Sequence, residues 1–354
     1  MKNIFLFLLI ISNNAFSQQG KLDSLFAAQK DFSGVVLIAE NGKSVYQKAF
    51  GYREFENKIP LQISDIFELA SVSKEFTAMI IMMLKEKGLL NYDDSVSKYL
   101  QIPYKGMTIR NLLTHTSGLP DYQEIMDKYW DKTKVAGNPD CIEYLNKYAP
   151  PKHFEPGEKY EYSNTGYMLL ASIAEKASGK DFIEMCRKWI FKELKMNSTD
   201  IRTLEEKKAT KNFAIGHIYV EERNKWVRAD SFPSSNYTIW LGNRKGPGRI
   251  SSTATDLLKW DKALYTDKLV KQSTLQDAFT PMKLNNGSFS DYGFGWELFN
   301  DPVAGKIVQH NGDNPGYKTQ IVRLIDKKKT IIVLNNNAIQ NFNQLIKQLV
   351  EIVK

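Results

Sequence analysis

The chain has 354 residues and a formal charge of +8, with two cysteines and four histidines. The histidines form no close pair, which argues against a zinc centre. The positive charge forms no stripe, and its densest run, Lys327-Lys328-Lys329, reads as a hairpin tip, so a solvated basic surface is expected rather than a nucleic-acid interface.

The N-terminus reads MKNIFLFLLIISNNAFSQQG. Lys2 supplies a positive start, Ile4 to Ile11 an unbroken apolar run, and Ala15-Phe16-Ser17 small residues at the positions a signal peptidase reads. This predicts a secretory signal over residues 1–17, cleaved after Ser17, because the run is far short of the ~20 residues that span a bilayer. No later segment is long and apolar enough to span either. The expectation is a secreted or periplasmic protein with no membrane span. Export would permit a disulfide, but sequence leaves open whether Cys141 and Cys186 meet.

Residues 21–30 suit a short amphipathic helix. Residues 34–40 and 43–50, joined by Asn41-Gly42, read as a β-hairpin. From about 75 to 245 the chain is mostly helix and loop. Thr77 to Lys87 is apolar nearly all round, which marks a buried helix, and Gly88 is placed to cap it. Tyr167 to Ala177, ended by Gly179, and Asp181 to Leu194 are further predicted helices. Ile307 to His310, Lys318 to Ile325 and Thr330 to Leu334 read as three more strands, and a final helix starts near Ala338. The simplest fold is α+β: one antiparallel five-stranded sheet, flanked by terminal and central helices, with a mostly helical subdomain inserted. Residues 18–354 then form a single domain, with a sheet part at about 20–66 and 246–354 and a helical part at about 70–245. Clefts between such parts are common ligand sites.

The tetrapeptide SVSK occurs twice, from Ser71 and from Ser95. A serine with a lysine one helical turn later can be a nucleophile with its base, but the spacing alone is weak. Ser71 lies where a strand-like segment meets the buried helix, so Lys74 would be desolvated and the helix N-terminus would favour an oxyanion. Its plain alternative is a helix cap. Ser95 follows the polar Asn91 to Asp94 turn, where its lysine would be solvated, and reads as structure. Tyr-x-Asn also occurs twice. Tyr144-Leu145-Asn146 falls inside a surface helix, whereas Tyr162-Ser163-Asn164 sits in a loop after Pro156-Gly157. His310-Asn311-Gly312 ends a predicted strand, and Gly312 would let that strand approach a ligand closely. No Gly-x-Ser-x-Gly elbow is present.

The segments FELASVSKEFT (67–77), TIRNLLTHTSGLP (108–120), FEPGEKYEYSNTG (154–166), GPGRISSTATD (246–256), YGFGW (292–296) and HNGDNPGY (310–317) occur in this order. Together they resemble the serine β-lactamase-like family of class C β-lactamases, D-alanyl-D-alanine carboxypeptidases, D-aminopeptidases and related esterases, over roughly residues 25–345. The resemblance implies that Ser71 forms an acyl-enzyme, Lys74 accepts its proton, and Tyr162 is the second acid/base. It implies that Asn164 orients substrate and Lys74, and that backbone N–H groups of Ser71 and Asp313 form the oxyanion hole. His310, Gly312 and Asp313 then contact substrate, with His310 standing where the lactamases have lysine. No metal or organic cofactor is implied. Partners are expected to be a small-molecule or peptide substrate, an ester, an amide or a D-amino-acid peptide, and the oligomeric state stays open. A neutral His310 and an anionic Asp313 lead to the expectation that the cleft disfavours a substrate carboxylate, which favours an esterase or D-amino-acid peptidase over a true class C-like β-lactamase. The remaining alternative is a non-catalytic relative that binds peptides or cell-wall fragments.

Overall fold

The computed structural model describes residues 18–232 and 234–354, and the expected signal segment lies outside the described residues. The hairpin forms where expected, as β1 (Gly34–Glu40) and β2 (Lys43–Phe50). Near the other end lie β3 (Glu297–Asp301), β4 (Gly305–Asn314), β5 (Tyr317–Leu324) and β6 (Lys329–Asn335). They join in one antiparallel sheet of six strands, ordered β3-β4-β5-β6-β1-β2. The expected count of five was short by β3. Its sequence, ELFND, has no β-branched residue and buries only Leu298, so it gives little signal of its own. It becomes a strand by pairing with the outer half of β4, from Glu297 opposite Gln309 to Asp301 opposite Gly305.

β1 is buried on both faces, which is why it reads as a continuous apolar run. Val36 and Ile38 pack with Leu22 and Phe26 of a first helix and with Leu345 and Leu349 near the C-terminus. Val35 and Leu37 face the larger core under the helical block. Five helices concern this packing and the site: α1 (18–28), α2 (Ser73–Glu86), α3 (Asn164–Ser178), α4 (Ala254–Ala263) and α5 (Phe342–Val353). α2 is the buried helix that the sequence predicted, and Gly88 ends it at φ +71° with its N–H donating to Lys85 O. The predicted Asp181 to Leu194 helix is regular only over Phe182–Met185 and continues as a wider-wound turn through Phe191. Cys141 and Cys186 are both buried free thiols. No described helix is long and apolar enough to cross a membrane.

Polar groups also lock the layers. Arg323 of β5 and Asp261 of α4 form a buried ion pair at 2.6 Å, with the guanidinium over the Tyr265 ring. Trp260 of α4 stacks on Phe76 of α2 and donates to Glu75 Oε2 at 2.8 Å. Burial pushes the Glu75 carboxyl well up, while the Trp260 N–H and the Arg323 charge pull the other way. A three-stranded ribbon, with Ile250–Ser252 between Phe67–Glu68 and Asp200–Ile201, ties the approach to α2 to the segment before α4. Asp261→Ala leaves Arg323 buried without its partner and should cost ~3–5 kcal/mol. The check is the urea midpoint by circular dichroism, and an unchanged midpoint contradicts the bracing role given to this pair.

Candidate active site

Ser71 lies in a tight turn, Ala70–Val72, that leads directly into α2. Ala70 has φ +49°, an unusual conformation for a non-glycine residue. Two neighbours hold it there. Leu69 N–H donates to Ile250 O at 2.8 Å, and Thr319 of β5 donates its hydroxyl to Leu69 O at 2.7 Å. Gly312 of β4 fits beneath the turn, since a Cβ there would lie 2.2 Å from Leu69 O and 2.3 Å from Thr319 Oγ1. Gly312 thus lets the strand approach the turn that carries Ser71. Ser71 caps neither this turn nor α2. Ser95 does cap, accepting from Ser97 N, and its Lys98 is exposed and paired with Asp94. The two SVSK copies therefore sit in opposite environments. The first Tyr-x-Asn also has the surface place expected of it, with Asn146 donating to Ile142 O and Gln101 O on the helix Asn138–Tyr148.

Lys74 is fully buried, with Nζ 3.0 Å from Ser71 Oγ. It also donates to Asn164 Oδ1 and to Pro247 O, each at 2.9 Å. Those two oxygens can only accept. A neutral amine satisfies both with its two hydrogens and turns its lone pair to the Ser71 hydroxyl. Among the described residues no carboxylate pairs with Lys74, and burial, helped by the Arg244 charge and opposed by Asp121, holds its ammonium well below the usual lysine range. The Gly246-Pro247 segment stays close to α2 through Thr77, which donates to Gly246 O at 2.8 Å.

Tyr162 precedes α3, and its ring lies 4.7 Å from Lys74 Nζ. Although Tyr162 is partly exposed, desolvation of the phenol by the packed residues around it pushes its pKa up, the neighbouring Ser71 hydroxyl pulling the other way, so Tyr162 stays protonated at neutral pH and Lys74 is the readier proton acceptor. His115 positions this loop. It is fully buried at φ +56°, accepts from Ser163 N–H at 3.0 Å, and stacks 4.3 Å from the Tyr162 ring. His310 is also fully buried, and burial with the Lys74 charge pushes its pKa down to about 3. Its neutral ring donates from Nδ1 to Asn311 O at 2.6 Å and accepts from the Tyr292 hydroxyl at 2.8 Å. With both nitrogens engaged inside the protein, His310 braces the aromatic wall behind Tyr162.

Ser71, Asn164 and Asp313 line one cavity of about 50 Å³ with Gln123, Tyr237 and Arg244. A larger cavity of about 320 Å³ lies beyond Asn314, among Arg53, Glu68, Lys207 and Arg228, and contains none of Ser71, Lys74 and Tyr162. Of these three, Ser71 alone lines the smaller cavity, which makes it the candidate site. Asp313 lies at its rim with the side chain 64% exposed, accepting from Lys318 Nζ at 3.0 Å. The carboxylate expected to repel a substrate carboxylate is thus paired and screened by water. Arg244, outside every motif read from the sequence, is buried in the same cavity, so the charge balance is opposite to that expectation. Among the described residues no three His, Cys, Asp or Glu side chains converge as a metal site would require.

A family profile described as Beta-lactamase matches residues 22–350. The chain is 44% identical over 308 residues to Penicillin-binding protein 4* of Bacillus subtilis, covering 86% of this chain and 68% of that one. It is 32% identical to the putative penicillin-binding protein PbpX of the same organism, covering 88% and 71%. Among solved structures it is similar to the octameric penicillin-binding protein homologue from Pyrococcus abyssi, with a TM-score of 0.77 at 29% identity, covering 90% and 73%.

Two outcomes test this geometry. Ser71→Ala should lower p-nitrophenyl acetate turnover at least ~10³-fold, while Ser95→Ala should cost at most ~1 kcal/mol of stability as a lost cap; covalent adducts on Ser95 by mass spectrometry contradict the assignment. The acid limb of kcat/KM should report deprotonation of Lys74. Removing the Arg244 cation stabilises the protonated amine, so Arg244→Gln should move that limb to higher pH. A limb that stays in place, or moves down, contradicts the role given to Lys74.

Proposed function

The chain belongs to the Beta-lactamase family, and we accordingly propose that it is an exported serine hydrolase that cleaves an ester or amide bond through an acyl-enzyme on Ser71. The observation that carries the reading is the dry Lys74 amine, 3.0 Å from Ser71 Oγ, whose other partners are both acceptors. Lys74 takes the hydroxyl proton as Ser71 Oγ attacks the carbonyl carbon. The tetrahedral oxyanion forms near the first turn of α2, where the helix dipole favours negative charge. Tyr162 gives its proton to the departing alcohol or amine, and Lys74 restores it. Water then enters, loses a proton along the same pair, and releases the acid and Ser71. Asn164 keeps Lys74 aimed throughout.

Within this class we place the protein with esterases and D-amino-acid peptidases, rather than with dedicated β-lactamases. His310 stands where the lactamases carry lysine, and it is neutral and buried. The similarity to Penicillin-binding protein 4* of Bacillus subtilis supports a serine that penicillin acylates. A fluorescent penicillin should label the purified protein and fail to label Ser71→Ala. A panel of p-nitrophenyl acetate, nitrocefin and D-amino-acid peptides should show kcat/KM for nitrocefin below that for the ester. Wild-type protein that neither labels nor turns over any of the panel would instead be the non-catalytic binding relative.

A further inference from the structure

Arg244 is 6% exposed. Among the described residues its guanidinium has one hydrogen-bond acceptor, the Tyr122 hydroxyl at 3.0 Å from Nη1, and buried Nε has none. Tyr122 does not neutralise the charge, because burial pushes its phenol up and it remains a neutral alcohol. No described carboxylate comes within ion-pair distance. Asp121 is near enough to be felt, but its Oδ1 serves the Gln123 amide at 2.8 Å, and Asp313 is taken by Lys318. The Tyr237 ring lies against the guanidinium at 5.5 Å and leaves its N–H edge unsatisfied. A buried cation without a counter-charge is costly to keep. Buried Arg249 also lacks a carboxylate and has an unpartnered Nε, but it does not line the cavity that holds Ser71, whereas Arg244 does. What Arg244 shares its space with is the wall of the Ser71 cavity.

We infer that Arg244 is the receptor for a carboxylate on the acyl part of the substrate. The inference rests on the acyl-enzyme reading of Ser71. The acyl side follows from the cavity's lining. Tyr162, which protonates the leaving group, is not part of that lining, whereas Gln123, Asn164, Tyr237 and Arg244 are. The group that stays on Ser71 therefore lies against Arg244, and the departing group leaves past Tyr162. Guanidinium binds carboxylate through paired N–H donors in a fixed fork, which an unfilled Arg244 edge can supply. The favoured substrates are acyl groups that end in, or branch to, a carboxylate at a reach of a few bonds from the scissile carbonyl, as in acidic amino-acid and dicarboxylic acyl chains.

The test uses two esters with the same leaving group and the same five-carbon acyl chain, p-nitrophenyl valerate and mono-p-nitrophenyl glutarate, with uncatalysed hydrolysis subtracted. Wild type should prefer the glutarate by at least ~10-fold in kcat/KM, the lower range for a hydrogen bond to a charged group. Arg244→Gln should bring the ratio near unity, and Arg244→Lys should retain part of it. Any change in Lys74 protonation affects both esters alike and cancels in the ratio. A wild-type ratio at or below one, or a ratio that Arg244→Gln leaves unmoved, overturns the inference. The wild-type ratio decides this even if both variants fail to fold. If neither ester is hydrolysed by folded wild type, it is the Ser71 reading that fails.

Discussion

Keeping one amine dry is the constraint around which the rest is arranged. Lys74 can take a proton from Ser71 only if it spends time uncharged, and burial without a carboxylate supplies that. The surroundings follow from it. α2 is apolar nearly all round because its first turn must lie inside the protein. Pro247 O and Asn164 Oδ1 are acceptors, so they hold the amine without donating a competing proton. The Gly246-Pro247 segment approaches so closely that a Cβ on Gly246 would lie 2.1 Å from Tyr167 O. Glu75, the next residue, is turned to Trp260 and makes no ion pair with Lys74.

The second layer is aromatic. His115, Tyr162, Tyr167 and Tyr292 pack ring against ring, with His310 closing the set. Their polar tips are assigned inward: Tyr167 to Leu113 O, Tyr292 to His310, and His115 to the backbone of Ser163. Of these tips only His115 Nε2 is buried without a partner, and Tyr162, 39% exposed, is the phenol at the cleft. The histidine of His310-Asn311-Gly312 belongs to this wall, and the glycine belongs to the turn under Ser71.

The elements with a strong local period were legible in the chain: the Asn-Gly hairpin, the all-apolar α2, and the helix that Gly179 ends. The contrast between the apolar helix after Ser71 and the polar turn before Ser95 is also legible in the chain. β3 was not legible because an edge strand of mixed residues is specified by its partner and not by its own pattern. Arg244 and His115 were missed for a different reason. Each matters through residues far away in sequence, Arg244 through Tyr122 and the Ser71 cavity, His115 through Ser163. Asp313 could have been read better. It lies opposite Lys318 across a tight hairpin, and cross-strand pairing of opposite charges was predictable from that register.

The order of strands in the sheet has a kinetic consequence. β1 is flanked by β2, which follows it at once, and by β6, with Gly34 opposite Asn335. Nearly the whole chain must therefore be present before the centre of the sheet can close. Such long-range pairing makes folding slow, and until it happens β1 exposes an apolar edge that other strands can join. The Ser71 turn, which needs Thr319 and Gly312 from the late strands, is then among the last features to be set. Nucleophilicity would thus arrive only with the completed fold, so an unfinished chain would carry the serine without its reactivity.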